Sequence, residues 1–421
     1  MTMSSNHEKN QLPPPLDLSG WRFLPAFFMV VGGILSVLGL AISCYKKELF
    51  EFGCSWLLAF MFYYSIALGS LFLVMIHHLS GAGWSVGIRR FCEHIASLLG
   101  WPLVVMFLPV AIFAKSIYGW MSYDPATNNL VAAKLPVFTM PGFYITSAVF
   151  FAILWFLSSR LSSLSLQQDK TGAAEYTHKM SFHSGWGIVV FGLVLTFSGV
   201  LWMKAVQYEW FSCIYGVYFF SDCAWIALAT VYMIAAILYR QGALSGLLQE
   251  NYFYYIGVLF FGFTLFSAYT EFAQYFVVWN ANMPEETFWY LVREHGNWWW
   301  LSLVLIFGHF FVPFFVLLPL KVKTNFKVII PVCIWAWLMH ALDLAFNIFP
   351  THRPDGYHLK WIWLPLGTLM FVGGFLGNVF VKKFIANPPY PKRDPRLLEA
   401  MGVNHHIVND LTPAPNTGGS Q

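Results

Sequence analysis

Ten stretches of about 20 residues each run almost without Asp, Glu, Lys or Arg, and the segments between them hold nearly all the charge of the chain. A helix of that length crosses the hydrocarbon core of a bilayer. Only an internally hydrogen-bonded backbone survives there, because lipid offers no partner for a free N–H or C=O. Composition agrees: 58% of the 421 residues are hydrophobic and 10% are charged. Soluble domains carry about 25% charged residues, and so few cannot cover a water-facing surface. The chain is therefore expected to be an all-α, polytopic membrane protein with about ten transmembrane helices. The expected spans are residues 23–43, 55–79, 94–114, 142–159, 185–203, 214–239, 252–279, 297–320, 326–348 and 360–381. Many Trp and Tyr stand at the ends of these blocks, as interfacial anchors do.

Orientation follows from Lys and Arg. With the N-terminus inside, sixteen of the 24 fall on the inner side, from Arg22, Arg89 and Arg90 to Lys382, Lys383 and Arg396. The other eight, among them Lys134, Lys204, Arg293 and Arg353, fall outside. This bias predicts both termini in the cytoplasm and an even number of spans. Three outer loops, 115–141, 281–296 and 350–360, are rich in Pro, Gly, Asp, Asn and aromatics. For any one of them, docking a partner and simply connecting two helices weigh equally. The inner loop 160–183 is polar and is expected to be mobile. Residues 1–22 form a polar, Pro-rich segment without the pattern of a cleavable signal. Residues 23–384 form the membrane domain, with bundles expected over about 55–205 and 214–348, a grouping drawn from count alone. Residues 385–421 read as an extended cytoplasmic tail.

Several function classes are excluded or weakened. No basic stripe with interleaved aromatics occurs in a soluble segment, which argues against nucleic acid and leaves lipid as the surrounding partner. The six cysteines form no CxxC and no CxxCH, which argues against a c-type haem, an iron–sulfur cluster or a zinc site on this chain. Cys44 and Cys54 flank one short loop, and free thiols are the simpler expectation there.

Ionisable residues inside hydrocarbon are costly and tend to mark function. They concentrate in spans six to nine: Asp222 in span six, Glu271 and Gln274 in span seven, His309 in span eight, His340 and Asp343 in span nine. Thr264, Ser267, Glu271 and Gln274 are spaced by three and four residues, and so are His340, Asp343 and Asn347. Each set therefore lines one helix face, and the two faces are expected to meet. The carboxylates and His340 fall toward the outer half, with His309 nearer the middle. A second group, His77, His78, Arg89, Arg90 and His94, is expected at headgroup level on the inner side. The turn Ser80-Gly-Ala-Gly-Trp84 lies beside it.

Four readings of the membrane cluster compete. A proton half-channel needs carboxylates and imidazoles that titrate near neutrality, with groups such as Gln274 and Asn347 holding water between them. A quinone site needs two polar groups that exchange protons with the quinone oxygens, and a His–carboxylate pair suits that. Haem ligation needs two His at one depth, for which His309 and His340 are the only conceivable pair. The plainest reading is interhelical hydrogen bonding that holds the bundle together. For any one residue this last weighs as much as function. For the group across several helices, function gains.

The stretch Glu271-Phe-Ala-Gln-Tyr-Phe-Val-Val-Trp279 and the Ala-Asn-Met-Pro-Glu-Glu motif that follows resemble the ActF subunit family of bacterial alternative complex III. The resemblance continues through His309 and Leu338-Met-His340-Ala-Leu-Asp343. It also takes in His77-His-Leu-Ser-Gly-Ala-Gly-Trp84 and the tail segment Asp394-Pro-Arg-Leu-Leu-Glu399. It covers most of the chain and is weakest in the first twenty residues, the outer loop after span three and the last residues. It implies a membrane subunit related to the NrfD and polysulfide-reductase type, with two four-helix bundles and flanking helices, in the bacterial inner membrane. It implies a complex that oxidises quinol, menaquinone among the quinones, and passes electrons to cytochrome c or a terminal oxidase. Partners would be an ActC-like membrane subunit, an iron–sulfur subunit and multihaem and monohaem cytochrome c subunits, which would carry the haems and clusters. This subunit would support assembly and provide a proton path through Asp222, Glu271, Gln274, His309, His340 and Asp343. Alternatives kept open are quinol binding by this chain itself and, from a different class, a secondary transporter. Against the transporter, no pair of matching broken helices stands out.

Overall fold

The computed structural model describes residues 19–124, 128–242, 244 and 247–397. Among the described residues there is no strand, and ten helices are long and apolar enough to cross a membrane. They are Phe23–Lys46, Leu49–Ser80, Val86–Ile112, Met140–Thr171, Glu175–Trp202, Tyr215–Arg240, Glu250–Ala281, Gly296–Leu317, Phe326–Ile348 and Leu359–Ala386, here spans one to ten. Each contains an expected span or most of it.

The differences lie where a helix outruns the hydrocarbon. The segment 160–183, expected as a mobile loop, is an extended helical hairpin. Span four continues to Thr171, and span five begins at Glu175. Residues 160–171 are polar but contain no Gly or Pro, so nothing stops the helix until Gly172. That glycine takes φ 73° and donates its N–H to the Gln168 carbonyl. Span three begins at Val86, eight residues before the expected start. Its two α segments meet at a 3₁₀ turn, Ser97–Leu99, and at Gly100. Span eight contains a π turn, Ile306–Phe311, just before Pro313. Proline cannot donate to the carbonyl four residues back and its ring crowds it, and the wider turn relieves that clash at His309.

Spans two and six form the central pair: 83% of the most apolar stretch of each is buried, against 22% for span one. A methyl group on Gly69 of span two would run into the Cys223 carbonyl of span six, so only glycine allows this approach. Spans three to five gather with span two, and spans seven to nine with span six. Spans one and ten pack on each other and then against span two. Gly32 and Gly374 bring their two backbones together, again where no Cβ would fit. All six cysteines are free, with Cys54 buried in span two and Cys44 exposed on span one.

The end of the bundle where spans two and three join holds a buried ionic knot. His77, His78, Arg89, Arg90 and His94, expected at headgroup level, lie at that end and are buried within the protein, at most 4% exposed. Arg89 Nε lies 3.0 Å from Glu93 Oε1, and Arg90 Nη1 lies 3.0 Å from Glu93 Oε2. Arg89 also bonds Asp394, Arg90 bonds Asp169 of span four, and Arg396 reaches Asp394 at 3.2 Å. Three guanidinium groups thus meet three carboxylates, and the knot is neutral. Such a balance is what makes buried charge tolerable. His77 Nε2 faces Arg89 and Arg396 at 3.4 and 3.3 Å, and both are donors only. The ring is therefore the Nδ1–H tautomer, donating to Ser85 Oγ at 2.5 Å. Residues 387–397 of the expected tail accordingly fold back on their own bundle, with Tyr390, Asp394 and Leu397 buried.

Burial alone would raise the Asp394 carboxyl, but Arg89 and Arg396 outweigh it and hold the group below its ordinary 3.8. Its contribution to stability is complete above 3.8 and lost as pH falls through the lower folded value. Asp394→Asn leaves Arg89 short of a partner and is expected to destabilise by about 3 kcal/mol at neutral pH. It should also remove this acid-side loss of stability and expose the segment after Ala386 to protease. Thermal unfolding in detergent from neutral pH into this acid range, with limited proteolysis, reads all three.

Candidate functional site

The polar faces of spans seven and nine do not meet each other, as expected from their spacing. Span six stands between them and takes both. On one side Trp225 Nε1 donates to Thr264 Oγ1 at 2.9 Å, and Ser221 Oγ pairs with Thr270 Oγ1 at 3.1 Å. On the other, Tyr218 donates its hydroxyl proton to Asp343 Oδ2. Asn347 Nδ2 donates to the Tyr218 oxygen at 2.9 Å, and Tyr215 donates to Asn347 Oδ1 at 3.4 Å. Residues 215, 218 and 222 lie three and four apart on span six, so one face of one helix carries both tyrosines and Asp222.

Asp222 is the centre of this arrangement. It is 1% exposed, and its carboxyl faces both Ser267 of span seven and Asp343 of span nine. Its Oδ1 has no hydrogen-bond partner among the described residues. Beyond it, Glu271 Oε1 lies 3.5 Å from His309 Nδ1 on the π turn of span eight. The Trp225 ring packs 4.2 Å from the His309 ring and fixes its plane. One ligand atom each from Asp222, Glu271 and His309 all lie within 4.8 Å of one another. The cluster extends from Asn347 and Tyr218 through Asp343 and Asp222 to Glu271 and His309, with gaps of up to 4.8 Å in its last part. His309 is 2% exposed, whereas the Glu271 side chain keeps 31% of its surface open. The string thus has one buried end and one accessible flank.

Two expected members stand apart. His340 turns toward span two, where its Nε2 pairs with Ser65 Oγ at 2.8 Å and Phe62 packs beside it. Gln274 lies at the rim, accepting a hydrogen bond from Ser212 in the loop before span six. Trp225 packs against His309 and Phe62 against His340, so each imidazole has its own aromatic neighbour.

Sequence reasoning missed Tyr218, although its spacing from Asp222 was visible. Tyrosines near a span end are easily taken as interfacial anchors. It also counted Arg293 only as an outer-loop cation. Arg293 ends the short helix Pro284–Arg293 and is 1% exposed. Its guanidinium donates to the carbonyls of Trp289 at 2.8 Å, Phe346 at 3.0 Å and Asn347 at 3.4 Å. It stacks over the Trp289 ring at 3.4 Å. Burial pulls its pKa down to about 9, so it stays charged at neutral pH and sets a positive cap over the Asn347 end of the string.

Three donors, two carboxylate oxygens and one imidazole nitrogen, are a set that can bind a divalent cation. The same three also suit proton exchange through a water molecule between them, since their atoms lie within 4.8 Å of one another. Tyr218→Phe removes the proton that Asp343 accepts and leaves its buried carboxyl to Asn347. Loss of about 1–3 kcal/mol is expected in thermal unfolding. A shift of the Asp343 carboxyl band in infrared difference spectra should accompany it.

No protein-family model matches the chain, and a search among curated proteins finds no significant similarity.

Proposed function

We propose that this chain is an integral membrane subunit of a respiratory quinol-oxidising complex of the alternative complex III type, with spans six to nine providing a proton half-channel. The observation that carries the proton path is the succession of titratable groups from Tyr218 through Asp343 and Asp222 to Glu271 and His309, close enough for single waters to bridge them. The string joins helices six, seven, eight and nine, and every link lies inside a segment long and apolar enough to span the membrane. A proton taken up at the accessible flank of Glu271 has His309 and Asp222 as its nearest acceptors, and Asp222 faces Asp343. Tyr218 can pass a proton on or hold Asp343 in place. Arg293 repels excess positive charge at its end of the string, which favours a blind half-channel over a continuous pore. The His340–Ser65 pair ties span nine to span two and supports the path without belonging to it.

The membership of a redox complex rests on the resemblance of the Glu271–Trp289 stretch and the segments around His77, Leu338 and Asp394. On that reading haems and iron–sulfur clusters sit on partner subunits, an ActC-like subunit is the neighbour in the membrane, and a quinone serves the complex. The bias of Lys and Arg supports cytoplasmic termini in a bacterial inner membrane. A second reading has one specific observation in its favour. Glu271 keeps 31% of its side chain open, and the adjacent Phe272 is 63% exposed, so the Glu271–His309 pair faces outward where a quinone headgroup can approach from lipid.

Glu271→Gln and Asp343→Asn in the assembled complex separate these readings. A proton path predicts that proton movement per electron falls, by about 10²-fold if the group is an obligatory relay, with quinol oxidation less affected. A quinol site predicts instead that Glu271→Gln raises KM for quinol and slows oxidation. If both electron transfer and its proton coupling are unaltered, neither role stands. Purification tests the larger frame: a complex subunit brings haem-containing partners and their absorption bands, whereas a transporter isolates alone or as copies of itself.

A further inference from the structure

Span four carries a second, unrelated pattern. Between Trp155 and Lys170 the residues at spacings of three and four are mostly Ser, and they form one continuous stripe. Fifteen residues of helix place the two ends of that stripe about 22 Å apart along the axis. Small hydroxyl residues on a membrane helix usually let a neighbouring helix pack closely. Here only part of the stripe is packed, with Ser158 buried and Gly100 of span three against Trp155. Ser159 and Ser163 are exposed, and a cleft of about 380 Å³ lies between this face, Ser97 of span three and Lys383 of span ten.

The chemistry of the cleft is one-sided. Lys170 and Lys383 line it, and no Asp or Glu does. Asp169, next in sequence to Lys170, is bonded to Arg90 in the ionic knot. Lys383 donates to Ser97 Oγ at 2.9 Å and to the Ser97 carbonyl at 3.3 Å. An ammonium has three N–H donors, so one remains. Ser162 and Ser163 add hydroxyls without a hydrogen-bond partner among the described residues. Arg393 donates to the Lys170 carbonyl at 2.7 Å, which adds a cation next to the lysine end outside the cleft lining. The opposite end is apolar and open sideways: Trp155 is 49% exposed and Phe156 beside it 53%. The ligand that fits has an anionic, oxygen-rich head at the lysine end and an apolar body running toward Trp155. A soluble anion would leave the Trp155 end unfilled.

We propose that this cleft binds the phosphodiester headgroup of an anionic phospholipid, with the acyl chains lying along span four past Trp155. Basic clefts between membrane helices on the side rich in Lys and Arg bind such headgroups. The proposal is independent of the proton string, which lies on other helices. It also gives the ionic knot a second consequence, because the Asp394 anchor holds Arg393 next to the lysine end of the cleft.

The test uses the purified protein, in whatever assembly it isolates, reconstituted in nanodiscs of phosphatidylcholine with a minor share of phosphatidylglycerol. Native mass spectrometry then reads which lipids stay bound on release. Phosphatidylglycerol should be retained over phosphatidylcholine. Lys170→Gln should weaken retention about five-fold, and Lys170→Gln with Lys383→Gln about 25-fold, at about five-fold per lysine. Ser163→Leu, which fills the cleft without changing charge, should also displace the lipid. Lys170 and Ser163 are exposed, so these two variants carry the test if the double variant fails to fold. Equal retention of the two lipids, or unchanged retention in Lys170→Gln and Ser163→Leu, overturns the proposal. So does displacement of the lipid by millimolar inorganic phosphate, which would make this a site for the free anion, or the finding that another subunit fills the cleft.

Discussion

The close approach of spans two and six at Gly69 governs where the chemistry of this chain can lie. Gly69 rests on the Cys223 carbonyl, and Cys223 follows Asp222 directly. Once that contact is made, the rotation of span six is fixed. Cys223 faces span two, and Asp222 turns about 100° away, toward spans seven and nine. A larger residue at Gly69 would push the two central helices apart and with them the carboxyl that bridges their neighbours. The polar string therefore depends on an apolar contact that contains none of its members.

The two polar regions of the membrane domain solve the problem of buried charge in opposite ways. At the basic end, guanidinium and carboxylate groups are matched, and the knot joins span three, span four and the segment after span ten. A matched set holds its charges in place and serves as a fastener. In spans six to nine, carboxylates outnumber cations, and the nearest guanidinium, Arg293, gives its hydrogen bonds to carbonyls instead of to Asp343. Among the described residues this acid-rich set has no guanidinium bonded to its carboxylates, and hydroxyl and amide donors such as Tyr218 and Asn347 tie it to its neighbours instead. The contrast is one of charge: the knot is neutral, whereas the cluster in spans six to nine carries more carboxylates than cations.

Much of this was legible in the sequence, and what was not has identifiable causes. The ten spans follow from local hydropathy, a property of each segment by itself. Helix ends were misread between 160 and 183 because polarity marks the edge of the hydrocarbon, not the end of a helix, and only Gly172 stops the backbone. Asp222, Glu271, His309 and Asp343 stood out as ionisable residues in apolar runs, and the structure brings these four together. His340 stood out equally, yet it pairs with Ser65, 275 residues away. Spacing assigns a residue to a face of its own helix but not to a neighbour. The error in pairing spans seven and nine has the same origin. The knot was hidden for a related reason: Asp394 lies 305 residues from Arg89, and no local pattern links them.

Pro313 shows how one such local residue can shape a site it never touches. Its ring cannot accommodate a regular turn at His309, so span eight widens there into six π-helical residues. Widening adds rotation relative to an α-helix, and the residues before it face a direction different from those after it. His309 sits within the widened turn, with Trp225 against its ring and Glu271 at its Nδ1. His309 keeps to the buried face of span eight, with Leu305 four residues before it and Pro313 four after it both buried. Pro313 thus sets the backbone on which His309 sits, and the cluster takes its imidazole from a turn adapted to a proline four residues further on.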